Sequence, residues 1–309
     1  MSQPPSSVTK YDETAAKAAA ARNFIVMAYG GPKSGKTHFA MQSQRPLYIA
    51  YLDTNPNLQT HLLKSCPDWG DEVYSTVFKP MSYDDLTEGE AVKRIAEVEA
   101  LAAWAKDNAR ERVGQGQHGG TFILDGAIYL KGYYEKAILG ESATLGYRAK
   151  KGERGGPSTF DYAKSNAALF DFIAGFSGES LDLIAIFEGR PVYTKGLDNK
   201  GNEISTKTDK WRSTRPDRIP YAVNAEVELL KTLERVDPSN NQSALVSKPQ
   251  IRIVLNSENF ALDHMVLPAV GFQGLKELLL SETVGDVVLR HESEIVRAND
   301  AGLGGDESE

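Results

Sequence analysis

Cysteine is nearly missing from this chain of 309 residues: Cys66 stands alone. A single thiol excludes an intrachain disulfide and a thiolate zinc site, and it suits a reducing compartment. Long apolar runs are missing too. No stretch approaches the ~20 residues that span a bilayer, and the polar N-terminus, with Pro4 and Pro5, lacks the apolar segment of a secretory signal. Histidine is scarce, and His38, His61, His118, His264 and His291 show no metal-ligand spacing. There is no excess of positive charge either: 35 Lys and Arg face 42 Asp and Glu, a net charge of −7. Any nucleic-acid contact therefore has to come from local clustering of cations. The expectation is a soluble cytoplasmic protein with no membrane partner.

What remains has the composition of an ordered α/β chain, with 41% hydrophobic and 25% charged residues. Residues 24–28, 47–52, 121–124 and 183–187 are short, continuous apolar runs. Runs that do not alternate suit a parallel sheet covered on both faces. Ala91, Ile95, Val98, Ala102 and Ala105 recur at helical spacing within 90–112, and a second helix fits 160–176. Residues 226–236 and 250–256, separated by Asp237-Pro238-Ser239-Asn240-Asn241, predict an antiparallel hairpin. The expected architecture is an α/β core over residues 22–280, a mostly parallel sheet with helices on both faces and a C-terminal antiparallel β-hairpin. Residues 1–21 read as a flexible tail and short helix, and 281–309 as a segment ending in an acidic tail.

The strongest motif is Gly30-Gly31-Pro32-Lys33-Ser34-Gly35-Lys36-Thr37, which satisfies G-x-x-x-x-G-K-[ST] directly after a predicted strand and before a helical segment, 37–44. Glycines let a backbone wrap a phosphate closely, with N–H groups turned inward. In such a loop Lys36 reaches the β- and γ-phosphate oxygens and the Thr37 hydroxyl sits on Mg²⁺. A carboxylate ending another buried strand completes the site, and Asp125, after residues 121–124, is the candidate. ATP and Mg²⁺ are the cofactors this pattern expects. Asp125 is followed by Gly126, so no glutamate base stands beside it.

This series of phosphate loop, strand ending in Leu52-Asp53-Thr54, strand ending in Asp125 and fourth buried strand resembles the RecA/RadA-type recombinase ATPase core. Weaker support comes from Phe160-Asp161-Tyr162, residues 211–221 and the terminal hairpin. The sequence looks most like the short, core-only versions carried by phages, which work with single-strand annealing. The resemblance implies an ATPase that binds single-stranded DNA and promotes pairing or recombination. It further implies a homo-oligomeric ring or filament with ATP between neighbours, a single-strand-binding protein as a further partner, and the host cytoplasm as location. In that family a glutamate near the end of the second strand activates water. Here the matching position is Asn55, which cannot accept a proton, so Asp53 and Glu188 are the substitute candidates beside Lys36.

The family also places two DNA-contacting loops after the Asp125 and Glu188 regions. Residues 146–157 carry Arg148, Lys150, Lys151 and Arg154, and residues 190–218 carry Arg190, Lys195, Lys200, Lys207, Lys210, Arg212, Arg215 and Arg218. Tyr147, Tyr193 and Trp211 lie among these cations, and stacking rings with backbone-tracking cations are what sequence-tolerant single-strand binding uses. Both segments are read as loops. Arg148, Lys150, Lys151, Arg154, Lys207, Lys210 and Arg212 are the candidate DNA contacts, and some cations of 207–218 could instead reach a neighbour's γ-phosphate. Two other readings stay open: a nucleoside or nucleotide kinase with an arginine lid over 212–218, and a non-hydrolysing nucleotide-binding regulatory module, which Asn55 would explain.

Overall fold

The computed structural model describes residues 23–52, 72–78, 84–140, 143, 161–197, 203–235, 245–258, 262–268 and 271–280. Tyr11, Asp53, Asn55, the basic segment 146–157 and both terminal segments lie outside the described residues.

The chain order begins with β1 (Ile25–Gly30), α1 (Lys36–Met41), β2 (Leu47–Tyr51) and β3 (Val73–Val77). It continues through α2 (Glu88–Gly114), β4 (Thr121–Asp125), α3 (Ala127–Leu139), α4 (Asp161–Ala174) and β5 (Asp182–Ile186). Next come β6 (Gly189–Leu197), β7 (Glu203–Ser213), a 3-10 turn (Ile219–Ala222), β8 (Ala225–Arg235), β9 (Leu245–Asn256), β10 (Val266–Pro268) and α5 (Phe272–Leu280). Eight strands form one sheet in the order β10-β9-β8-β1-β5-β4-β2-β3, while β6 and β7 pair as a separate ribbon. All pairings from β8 through β3 are parallel, and β9 runs antiparallel to β8 and to β10. The α/β class, the parallel sheet and the C-terminal antiparallel hairpin are as the sequence leads one to expect.

The central strands read as unbroken apolar runs because both of their faces are covered. Ile25, Met27, Tyr48, Ala50, Phe122, Leu124, Leu183 and Ala185 are buried in the cluster that includes α2, α3 and α4. Val26, Ala28, Leu47, Ile49, Ile123, Ile184 and Ile186 are buried on the opposite face with α1 and α5. Each Val, Leu, Ile, Phe or Met among them contributes about 1.5–3 kcal/mol when fully buried. On α2 the stripe Ala91, Val98, Ala102, Ala105 and Ala109 faces the sheet. Its start is fixed by Thr87, whose hydroxyl accepts the Glu90 N–H at 3.2 Å.

In a parallel sheet the chain leaves every strand at one edge, and ligands of open α/β sheets bind outside that carboxyl edge. The loop after β1, Leu52 after β2, Asp125 at the end of β4 and Glu188 after β5 all lie there. The structure differs from expectation at 190–218. Most of that segment is the β6–β7 ribbon, with Gly189 through Leu197 paired to Ser213 through Glu203, rather than a loop.

Candidate nucleotide-binding site

The loop from β1 into α1 is built by close approach and by backbone hand. A Cβ at Gly30 would collide with the Leu229 carbonyl and sit 2.6 Å from the Ser34 hydroxyl. Lys33 at φ 61 and Gly35 at φ 95 lie in the left-handed region that curls the chain, and Gly35 leads into α1. The Ser34 N–H folds back on the Gly31 carbonyl at 3.3 Å. Helix α1 has six residues, Lys36–Met41, against the eight expected over 37–44.

Lys36 crosses the loop and donates to the carbonyls of Gly30 at 3.1 Å and Gly31 at 2.9 Å, which holds its ammonium at the loop's entrance. The Thr37 hydroxyl donates to Asp125 Oδ2 at 2.9 Å. Asp125 is buried at the end of β4, which lies two strands from β1 with β5 between them. Gly126 follows at φ 91, a turn conformation an L side chain rarely adopts, which accounts for the lack of a second acid after Asp125. Leu52 donates its N–H to the Asp125 backbone carbonyl at 2.8 Å, which pairs the end of β2 with the end of β4. Asp53 itself lies outside the described residues.

A hydroxyl and a carboxylate, both hard oxygen donors, suit Mg²⁺, which takes one or two protein oxygens and keeps water and phosphate for the rest. Among the described residues no cluster of three or more His, Cys, Asp or Glu could hold a metal ion. Thr37 and Asp125, in contact at 2.9 Å, are the oxygen donors here that fit such a cation. The buried Ser34 hydroxyl has no hydrogen-bond partner and is a further polar atom of the loop.

Glu188 stands exposed at the rim, its carboxylate accepting the Tyr129 hydroxyl at 2.9 Å. Tyr129 is in the first turn of α3, just past Asp125, so the contact bridges the ends of β4 and β5. Glu188 also carries the base of the ribbon: its carbonyl accepts from Thr214 N at 3.0 Å and from the Thr214 hydroxyl at 3.1 Å.

On the other side of the loop β8 presents two buried glutamates. Glu226 accepts Arg215 and Glu228 accepts Arg252, each with a closest approach of 2.9 and 2.8 Å respectively. Burial pushes the Glu228 carboxyl up, opposed by Arg252 and by the Trp211 backbone N–H that faces it. Burial and these two glutamates push the Tyr29 phenol well up, so it stays neutral.

Several sequence assignments change here. The half-buried Trp211 ring packs on Gly31. Arg215 is not a free cation, because it is forked onto Glu226. Lys210, Arg212, Arg190 and Arg218 are exposed, and Arg190 pairs directly opposite Arg212. Lys207 falls in β7, while Arg148, Lys150, Lys151 and Arg154 lie outside the described residues. The Glu226–Arg215 and Glu228–Arg252 pairs were not foreseen. The signal available for them was two acids at alternate positions in the otherwise apolar first half of the strand, 225–230.

No protein-family model and no curated protein matches this chain. Among solved structures it is similar to the flagellar accessory protein FlaH from Methanocaldococcus jannaschii, at 10% identity over 80% of this chain and 87% of that chain, with a TM-score of 0.30. A likeness of that size says nothing about the site, which stands on its own geometry. No described helix is long and apolar enough to cross a membrane.

Proposed function

We propose that this chain is an ATP- and Mg²⁺-dependent ATPase of the RecA type that acts on single-stranded DNA. The observation that carries the reading is the hydrogen bond between Thr37, the residue following Lys36, and Asp125, 88 positions further along the chain. Lys36 would bind terminal phosphate oxygens, Thr37 would ligate the cation directly and Asp125 would hold it through water. Mg²⁺, when bound, neutralises charge on the transferring phosphoryl group. Glu188 is positioned by Tyr129 at the rim, where it can orient a water, and Asp53 is the second candidate for that task.

The DNA side of the proposal rests on the ribbon. Arg190, Lys210 and Arg212 are exposed there, and Tyr193 is 56% exposed. Like charges directly across a pair of strands repel, so an anionic backbone laid over Arg190 and Arg212 would relieve a cost the free protein carries. The basic segment 146–157 is the second proposed contact. Pairing and recombination in a phage setting, and assembly into a ring or filament, follow from the sequence resemblance. Of the arginines over 212–218 that a kinase lid would use, Arg215 is fastened to Glu226 while Arg212 and Arg218 are exposed.

The test is ATP turnover with and without single-stranded DNA. Turnover should need Mg²⁺, rise with single-stranded DNA and vanish in Lys36→Ala. Phosphate transfer to a nucleoside without DNA would favour a kinase, and tight ATP binding without turnover a regulatory module. Unchanged ATP affinity in Lys36→Ala would overturn the nucleotide site itself.

A further inference from the structure

The entrance of the phosphate loop is shaped by the ribbon. A Cβ on Gly189, the first residue of β6, would sit 2.7 Å from the Gly30 carbonyl. A Cβ on Gly31 would sit 2.8 Å from two ring carbons of Trp211, on β7, closer than carbon atoms in folded proteins come. An indole is rigid and cannot swing its far end aside as a lysine would. Alternation along β7 turns Trp211 to the loop and Arg212 to the opposite face, where Arg190 meets it.

The ring is also firmly mounted. The Trp211 backbone N–H faces the buried Glu228 carboxylate. Three and four residues on, Thr214 bonds the Glu188 carbonyl and Arg215 forks onto buried Glu226. The chain at the indole and just beyond it is thus tied to the sheet edge from which the loop departs.

We propose that Trp211 is a positioning residue for the nucleotide: its indole sets the height of the Gly30-Gly31 entrance, so the posture of the ribbon fixes phosphate affinity. Gly31 is required because any side chain there would push this ring. The proposal rests on the reading of residues 30–37 as a phosphate loop.

The test is a suppressor cycle with the full chain, read by binding of a fluorescent ATP analogue with Mg²⁺. Gly31→Ala should weaken binding about tenfold or more, since forcing a methyl into a filled site costs what overpacking costs. Trp211→Leu removes the obstructing ring atoms and should cost only a few-fold. The double variant should bind like Trp211→Leu alone, because the ring atoms that a methyl at 31 meets are then gone. Thermal melts identify any variant that has unfolded.

A second readout does not depend on substitutions in the loop. With Trp69 and Trp104 replaced by Phe, emission from Trp211 should titrate with ATP and Mg²⁺ at the midpoint of analogue binding. Additive effects of Gly31→Ala and Trp211→Leu, or a flat emission while the analogue binds, would overturn the assignment of Trp211. Binding that persists in Lys36→Ala would instead overturn the phosphate-loop reading on which it rests.

Discussion

Arg215 grips Glu226 with two nitrogens: Nε lies 3.2 Å from both carboxylate oxygens and a terminal nitrogen lies 2.9 Å from one of them. Glu226 is 2% exposed, so its charge has almost no water to rely on. Taking away one member of a buried pair strands the other, at about 3–5 kcal/mol, whereas replacing both by apolar groups is often close to neutral. Arg215→Ala should therefore lower stability by about 3 kcal/mol in urea unfolding, and Arg215→Met with Glu226→Leu should recover most of it. A loss below about 1 kcal/mol for Arg215→Ala would show that the pair does not fasten the ribbon to β8.

The Thr37–Asp125 contact makes a different prediction, about the cation. Asp125→Asn keeps the size of the side chain and a hydrogen-bond acceptor for Thr37 while removing the charge. Residues that hold a metal through an intermediary typically cost 10–100-fold in metal affinity or activity when changed. Asp125→Asn should raise the Mg²⁺ needed for half-maximal ATP turnover by about that factor, and leave binding of the nucleotide without Mg²⁺ near the wild-type value. Equal Mg²⁺ dependence in the two proteins would remove Asp125 from the cation site.

Which parts of this were legible in the sequence follows from burial. The strands β1, β2, β4 and β5 have both faces covered, so each is a continuous apolar run whose end could be read, and with it the positions of Gly30 and Asp125. The ribbon was misread as a loop because the described positions of β6 and β7 are mostly exposed or half-exposed, leaving no apolar alternation over Thr206-Lys207-Thr208-Asp209-Lys210. Strand β3 escaped for a similar reason, as Tyr74 and Val77 on this edge are exposed. Helix α3 was not expected, because Gly132 and three tyrosines interrupt its formers. The packing of Trp211 on Gly31 joins residues far apart in the chain, and no local pattern encodes it.

Cations on the outer face of the ribbon give a prediction in salt. A protein that neutralises phosphates releases counterions, so the logarithm of affinity for single strands falls with the logarithm of salt by roughly 0.7 per contact. Arg190→Gln, Lys210→Gln and Arg212→Gln remove exposed charges with no buried partner among the described residues, so folding should be unaffected. If all three touch phosphate, the triple variant should bind a single-stranded oligonucleotide more weakly and with a slope shallower by about 2. An unchanged slope would move any strand contact away from this ribbon.

At the far end of the sheet His118 makes a prediction in pH. Its Nδ1 accepts the Gly120 N–H at 2.8 Å, and its Nε2 lies 3.8 Å from Asp182, which Lys276 bonds through both oxygens at 2.9 and 2.8 Å. Burial, with Lys276 and Arg112 nearby, holds the imidazole below its ordinary value, against the pull of Asp182. A base whose folded value is depressed stabilises the fold above its unfolded value of about 6.5, and that contribution is lost as pH falls through the folded value. Asp182, pushed up by burial, acts in the opposite sense, losing stability as pH rises through its own folded value, and it is present in both proteins of the comparison. His118→Asn can still accept from Gly120 but does not titrate. Between pH 7 and pH 5 the wild type should therefore lose more stability in urea unfolding than His118→Asn, by up to about 1.4 kcal/mol per pH unit. Parallel pH profiles for the two proteins would mean that His118 is protonated alike in the folded and unfolded chain.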